Sequence, residues 1–243
     1  DRAELRRLAD LLVHRAEGER DVPRAGVQAA IALYGYYTDM LAERRRTPRD
    51  DLTSALLLAE VDGDRLTDQE IIGFLFLMVV AGNETTTKLL GNAVYWATHN
   101  RGELAKVLAD RRRIPDWVNE TLRYDGSTQL LARYLLQDVT LHGRTAPAGA
   151  QLVLLLGAAN RDGAVFPDPD RYDLDRDTAQ LASFGGGRHY CLGANLARLE
   201  ARVALEELLS RVADIDIDEA GAQRVRSINV RGFAQLPVTV RPR

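Results

Sequence analysis

The sequence predicts a mainly α protein with small β-sheets, and three observations carry that reading. Apolar residues recur at helical spacing through the first two thirds of the chain. One apolar segment is long enough to cross a whole domain. Short β-branched runs punctuated by Gly and Pro appear only after Leu130. The 243 residues suffice to bury a real core and are read as a single domain, 1–243. The chain is 46% apolar and 28% charged, which places it with ordinary globular proteins and not with disordered ones. A formal net charge of −3 gives no sign of a nucleic-acid partner. Cys191 is the only cysteine, so no intramolecular disulfide can form and a reducing compartment fits. No signal peptide is evident, and no fully apolar run approaches the ~20 residues that span a bilayer. The expectation is a cytoplasmic protein with no membrane segment. The chain opens without Met inside an amphipathic pattern (Leu5, Leu8, Leu11, Leu12), which reads as the middle of a longer protein.

In chain order, Leu5 to His14 forms one amphipathic helix and a loop holding Pro23 and Gly26 follows. Val27 to Arg46 carries apolar residues at helical spacing and ends in the basic run Arg44 to Arg46. That run and Arg111 to Arg113 are read as solvated helix ends or turns. Asp50 or Asp51 caps a short helix through Glu60. Thr67-Asp-Gln-Glu70 is a capping box that starts a helix of about 30 residues, apolar nearly all round and so expected to be central and buried. Gly102 to Asp110 and Ile114 to Tyr124 are shorter helices. Leu130 to Leu136, Val139 to His142 and Gln151 to Leu156 read as strands of a small sheet. Residues 160–180 are a loop rich in Asp and Pro, Cys191 to Val212 is a helix, and Ile228 to Val240 reads as strands broken by Gly232 and Pro237.

Two segments demand a chemical explanation. In IIGFLFLMVVAGNETTTKLLGNAVYWA, residues 71–97, a greasy helix carries Gly82, Asn83, Glu84 and three threonines at its centre. A mid-helix threonine hydroxyl bonds back to the i−4 carbonyl and disturbs the ladder; for Thr85 that carbonyl belongs to Ala81. The second segment is SFGGGRHYCLGANLARLE, from Ser183. Three glycines precede Cys191 and Gly193 follows, a density that permits positive φ and close approach of backbone to something flat or bulky. A cysteine at a helix N-terminus meets the positive end of the dipole and unpaired N–H groups, both of which favour thiolate. From spacing alone three readings stay open: a buried structural cysteine, a nucleophile assisted by His189, or a metal or haem ligand. Zinc fits poorly with one Cys and four scattered His, whereas a single thiolate can hold haem iron.

Phe184-Gly185-Gly-Gly187-Arg188-His189-Tyr-Cys191-Leu-Gly193 resembles the haem-binding loop of the cytochromes P450, F-G-x-G-x-[HR]-x-C-x-G, at every defined position. Ala81-Gly82-Asn-Glu84-Thr85-Thr86 resembles the family's oxygen-activation segment, and Glu120-Thr-Leu-Arg123 its E-x-x-R pair. Asp168 to Asp173 resembles the segment whose arginine, here Arg171, completes a Glu–Arg–Arg cluster. The resemblance implies a cytochrome P450 fold lacking its amino-terminal part, of the soluble bacterial type. One departure is local: Gly126 and Ser127 follow the E-x-x-R helix where bacterial members usually show Pro.

The resemblance also implies a chemistry. Cys191 would be the thiolate ligand of haem b (iron protoporphyrin IX), pushing electron density that favours O–O cleavage. Phe184, Gly185, Gly187 and Gly193 would shape the loop beneath it, and His189 and Arg133 would pair with haem propionates. Ala81 and Gly82 would leave room for dioxygen, Thr85 would hydrogen-bond it, and Glu84 would relay protons from solvent. Glu120, Arg123 and Arg171 would maintain the fold near the loop. The implied activity is a monooxygenase placing one oxygen atom of O2 in a small apolar substrate. Contacts to that substrate are expected from residues 74–82, the strand after Arg133, and residues 231–235. Electrons would come from NAD(P)H through a ferredoxin or flavodoxin-type donor and its reductase; no G-x-G-x-x-G loop for a nucleotide is evident in the chain. The alternatives are a haem-binding protein without oxygenase activity, or an inactive truncated fragment. His14, His99 and His142 are read as surface or loop histidines.

Overall fold

The computed structural model describes residues 2–13 and 21–243. The chain divides into two compact units, Asp1–Glu84 and Thr85–Arg243.

In the first unit α1 (Arg2–Val13) packs on α2 (Arg24–Arg46), and α3 (Leu52–Leu58) follows. His14, expected to end the first helix, lies outside the described residues. The core joins Leu8, Leu33, Tyr37, Leu41, Ile71, Ile72 and Leu75. Burial there pushes the Tyr37 hydroxyl pKa up to about 12. Helix α2 starts earlier than expected, just after Pro23, because Gly26 fits where a Cβ would stand 3.1 Å from the Leu11 carbonyl oxygen. Asp51 is the N-cap of α3: it accepts the Ser54 N–H at 2.9 Å and the Arg44 Nε at 2.5 Å. The helix stops at Leu58 and not at Glu60. Asp62 and Gly63 take φ of 53° and 86°, which turns the chain into a hairpin of β1 (Glu60–Val61) and β2 (Asp64–Arg65).

The capping box forms as expected. The Glu70 N–H donates to Thr67 Oγ1 at 3.3 Å, and Glu70 Oε2 accepts the Thr67 N–H at 2.8 Å. It opens α4 (Asp68–His99), a single α-helix of 32 residues, roughly 48 Å at 1.5 Å per residue. The expectation of a fully buried helix is corrected. Ile71, Ile72 and Leu75 are buried near one end and Leu89, Ala93 and Ala97 near the other, while Leu77, Ala81 and Gly82 in the middle are exposed. Phe76 and Val79 pack half-buried against the first unit's core, and Leu90 and Val94 against the second's.

The second unit centres on α6 (Ile114–Asp125). It is reached through α5 (Arg101–Ala109) and a 3-10 turn, Arg111–Arg113. Trp117, Leu122, Val107, Ile114, Tyr172, Ala201 and Leu205 share its core with Leu89 and Ala93 of α4. Arg113 is no solvated turn residue: its guanidinium donates to the Leu174 carbonyl at 2.8 Å and to Asp175 at 2.6 Å. The strands pair two by two, all antiparallel: β3 (Leu131–Tyr134) with β6 (Gln151–Leu154), and β4 (Val139–Leu141) with β5 (Arg144–Ala146). The short helix α7 (Leu156–Ala159) takes the end of the last expected strand. Helix α8 (Ala194–Arg211) starts three residues later than expected and leaves Cys191 in the turn before it. It gives way at Val212 to β7 (Val212–Ile217), whose alternating residues pair with β10 (Val238–Pro242). β8 (Gln223–Arg224) pairs with β9 (Phe233–Gln235).

The cap of α3 makes a pH prediction. The Arg44 side chain and the Ser54 N–H hold Asp51 at about 2, below its ordinary 3.8. A carboxyl depressed in the folded state supports the fold above its unfolded value and loses that support as pH falls toward its folded value. The protection of the Ser54 amide, relative to its intrinsic exchange rate at each pH, is expected to fall between about pH 4 and pH 2, and this acid step is expected to disappear in Asp51→Asn. Equal acid sensitivity in the variant would contradict the assignment.

Candidate functional site

The site is built outward from one helical turn of α6. Glu120 and Arg123 stand at i and i+3, so both side chains leave the same face, and both are fully buried. Arg123 has five N–H donors, and all five are used. Nε and Nη2 donate to the two Glu120 carboxylate oxygens at 2.7 and 2.8 Å. Nη1 donates to the carbonyls of Asn160 and Pro169, each at 2.9 Å, and Nη2 to that of Arg171 at 3.0 Å. Glu120 Oε1 also accepts the Asp173 N–H at 2.9 Å. Isolated buried charges would be strongly unfavourable; fully hydrogen-bonded ones fix whatever they bond. Here they fix the irregular chain between Asn160 and Asp173.

Arg171 does not complete this cluster with its side chain. Its guanidinium is exposed and stands 3.6 Å from Asp173, and only its carbonyl reaches Arg123. The second arginine at Glu120 is Arg176, buried, with Nε 3.6 Å from Oε1. Its Nη2 donates to the carbonyls of Asp168 at 2.9 Å and Arg171 at 3.2 Å. The segment Asp170-Arg-Tyr-Asp-Leu-Asp-Arg176 offers two Asp-Arg pairs, and only tertiary placement chooses between them.

Asn160 and Ser183, which the sequence reading passed over, carry the connection onward. Asn160 Oδ1 accepts the Ala182 N–H at 2.8 Å, and its Nδ2 donates to Ser183 Oγ at 2.7 Å. Ser183 Oγ donates to the Leu122 carbonyl at 2.5 Å, at the end of α6. Gly126 makes room for this contact: a Cβ there would stand 2.5 Å from the Leu122 oxygen and 3.0 Å from Ser183 Oγ. The residue that departs from the bacterial pattern therefore has a packing role.

The next residue, Phe184, packs its ring against the core around Trp117. Gly185 and Gly187 follow with φ of 68° and 59°, the region that favours glycine. A short 3-10 turn, Gly187–His189, leads to Tyr190 and Cys191. The Phe184 carbonyl accepts the Cys191 N–H at 2.9 Å, closing the loop on itself. Gly193 then precedes α8. Cys191 is an exposed free thiol, and His189 beside it is exposed too. Among the described residues, apart from chain neighbours, no atom comes within 4 Å of where a Cβ on Gly186, Gly187 or Gly193 would stand. The result is a glycine-rich turn with open space at those glycines and Cys191 exposed beside it. A flat group held by one thiolate fits that surface. Among the described residues no group of three or more His, Cys, Asp and Glu is arranged to hold a metal ion.

Other expected site residues fall elsewhere. Arg133 lies on β3, paired in register with Leu152, and its Nη1 donates to its neighbour's carbonyl, Ala132 O, at 2.9 Å. Glu84 and Thr85 are half-buried in α4, Ala81 and Gly82 exposed, and the boundary between the units falls between Glu84 and Thr85. Phe233, in the segment expected to contact substrate, is buried, 4.8 Å from the Tyr95 ring and beneath Arg224. Its segment is fastened by Arg231, which donates to Asp125 at 2.5 Å. His99 closes α4 stacked on Tyr95 and 3.0 Å from Glu219, and His142 occupies a turn with φ of 49°.

The family model for cytochrome P450 matches residues 24–213. The chain belongs to the cytochrome P450 family. It is 59% identical, over its whole length, to a Mycobacterium tuberculosis protein provisionally named cytochrome P450 123, of which it spans 61%. It is 41% identical over 92% of its length to the vitamin D(3) 25-hydroxylase of Pseudonocardia autotrophica, of which it spans 57%. The solved structure of cytochrome P450 CYP109Q5 from Chondromyces apiculatus superimposes with a TM-score of 0.91 at 40% identity. That match covers 100% of this chain and 60% of the other. The fold is thus a partial cytochrome P450 fold. Among the described residues no helix is long and apolar enough to cross a membrane.

Removing Arg123 tests the network. Arg123→Met would leave Glu120 buried without its partner, a loss of about 3–5 kcal/mol. Arg123→Lys keeps the charge but has three donors for five acceptors and is expected to lose a substantial part of it. Denaturant unfolding of both variants measures the loss; a Lys variant as stable as the parent would show that the fork geometry is unimportant.

Proposed function

We propose that this chain forms the haem-holding part of a cytochrome P450 monooxygenase that places one oxygen atom of O2 in a small apolar molecule. The observation that carries the reading is the presentation of Cys191. The sulfur is exposed at the end of a glycine-cleared loop, the loop is closed by the Phe184 carbonyl, and a buried ion pair supports it. Haem, when bound, supplies the redox-active iron at which dioxygen is activated.

The roles of the chain's own groups follow from their chemistry. Cys191 offers the one sulfur of the chain as the ligand, in the turn just before α8. Its own N–H is committed to Phe184 O, which orients the Cβ. His189 and Arg133 supply cationic or hydrogen-bonding groups for propionates. Thr85 and Glu84 are neighbours in sequence on α4. Thr85 offers a hydroxyl that can both donate and accept. Glu84 offers a carboxylate that can take a proton from water and pass it on. Ala81 and Gly82 keep that stretch of helix free of bulk. Phe184, Gly185, Gly187 and Gly193 give the loop its shape.

Electrons are proposed to come from NAD(P)H by way of a ferredoxin or flavodoxin-type donor and its reductase. An apolar substrate is supported by the long apolar stretch of α4 and by the name of the vitamin D(3) hydroxylase relative.

Two substitutions test the assignment. Cys191→Ser is expected to weaken haem uptake at least tenfold, followed by the rise of the haem absorbance on titration; unchanged affinity would remove Cys191 as the ligand. Thr85→Ala is expected to bind haem as the parent does, yet to send most reducing equivalents to hydrogen peroxide when a donor system is supplied. Equal coupling in parent and variant would remove Thr85 from proton delivery.

A further inference from the structure

Arg198 lies seven residues after Cys191, on α8, and neither the family pattern used above nor the network around Glu120 employs it. It touches three things at once. Its Nε donates to Asn119 Oδ1 on α6 at 3.0 Å. Its guanidinium lies over the Phe184 ring, 4.5 Å from the centroid. Its Nη1 stands 3.4 Å from the Tyr190 hydroxyl, a long contact. Phe184 and Tyr190 are the two ends of the loop that presents Cys191, and their rings are 6.3 Å apart.

We infer that Arg198 is a positioning residue that clamps both ends of the cysteine loop to α6. The functional consequence rests on the reading of Cys191 as the haem ligand; the mechanical claim does not. A planar guanidinium suits this task. Its face covers an aromatic ring while its edge directs an N–H to the Asn119 oxygen. Lysine carries the same charge but cannot present a face and a fixed edge together. Asn119 is half-buried in the helix that holds the buried Glu120–Arg123 pair, so the clamp ties the loop to that helix. Because Phe184 also supplies the carbonyl that accepts the Cys191 N–H, a shift of its ring moves the sulfur's own anchor. Arg198 and Asn119 border an open groove of about 290 Å³ with Pro115, Val118 and Leu199. Shortening Arg198 therefore enlarges a groove and leaves the core around Trp117 packed.

The test is amide hydrogen exchange on the 243-residue chain, parent and variants, read over residues 184–191 with α6 as internal reference. Arg198→Ala and Arg198→Lys are both expected to speed exchange at the Cys191 amide on the order of tenfold. Asn119→Ala is expected to do so by a smaller factor, and α6 amides are expected to stay protected in all three. In haem-loaded samples, Arg198→Ala is expected to raise the share of reduced, CO-bound protein that lacks the thiolate-type shift. Unchanged exchange at residues 184–191 in Arg198→Ala would overturn the inference. So would full restoration by Arg198→Lys, which would make Arg198 a simple charge. If the parent takes up no haem, the haem reading of Cys191 fails by itself and the exchange comparison still decides the clamp.

Discussion

The buried pair of Glu120 and Arg123 is the constraint on which the cysteine loop depends. Arg123 spends all five of its donors, two on Glu120 and three on the backbone carbonyls of Asn160, Pro169 and Arg171. Those carbonyls lie in chain without helix or strand, where no ladder supplies donors. Two guanidinium groups, Arg123 and Arg176, therefore do for this segment what secondary structure does elsewhere. The segment in turn places Asn160, Asn160 places Ser183, and Ser183 returns to the end of α6. The loop that presents Cys191 begins at the next residue. The chain of contacts is closed: α6 holds the segment, and the segment brings the loop back to α6.

A second buried carboxylate, at the end of the same helix, organises the other side. Asp125 accepts from Trp96 at 2.8 Å, Arg224 at 3.2 Å and Arg231 at 2.5 Å, and its carbonyl accepts Asn92 Nδ2 at 2.7 Å. It therefore joins the later half of α4 to the carboxy-terminal strands. Arg224 completes the junction by covering the Phe233 ring at 3.7 Å. Helix α6 thus carries two ionic hubs less than two turns apart, one for the cysteine loop and one for α4, around the buried Trp117, whose Nε1 donates to the Ala93 carbonyl at 3.1 Å. A helix used this way tolerates little change on any face but the exposed one.

Much of this was legible in the residues, and the failures have physical causes. The capping box at Thr67 and Glu70 is a local device, and local devices can be read without the fold. The glycine density before Cys191 likewise signals the positive φ that Gly185 and Gly187 adopt. The hairpin at Asp62-Gly63 carried a legible turn signal, but the apolar run before it favoured a longer helix. The alternation from Val212 to Ile217 was hidden by its continuity with the strong helix before it. The choice between Arg171 and Arg176 could not be made locally, because it depends on which guanidinium faces Glu120. The burial of α4 was overestimated because composition reports what a helix can cover, and not what stands beside it.

If the network on α6 suffices to present the sulfur, this chain, spanning about three fifths of the relatives it matches, holds Cys191 ready to ligate haem. The most direct measurement is the difference spectrum of the chain reconstituted with haem, reduced and exposed to CO. The expected result is the red-shifted band that gives the family its name. A haem–CO spectrum without that shift, or no haem uptake at all, would contradict it, showing that the network on α6 is not sufficient to present the sulfur.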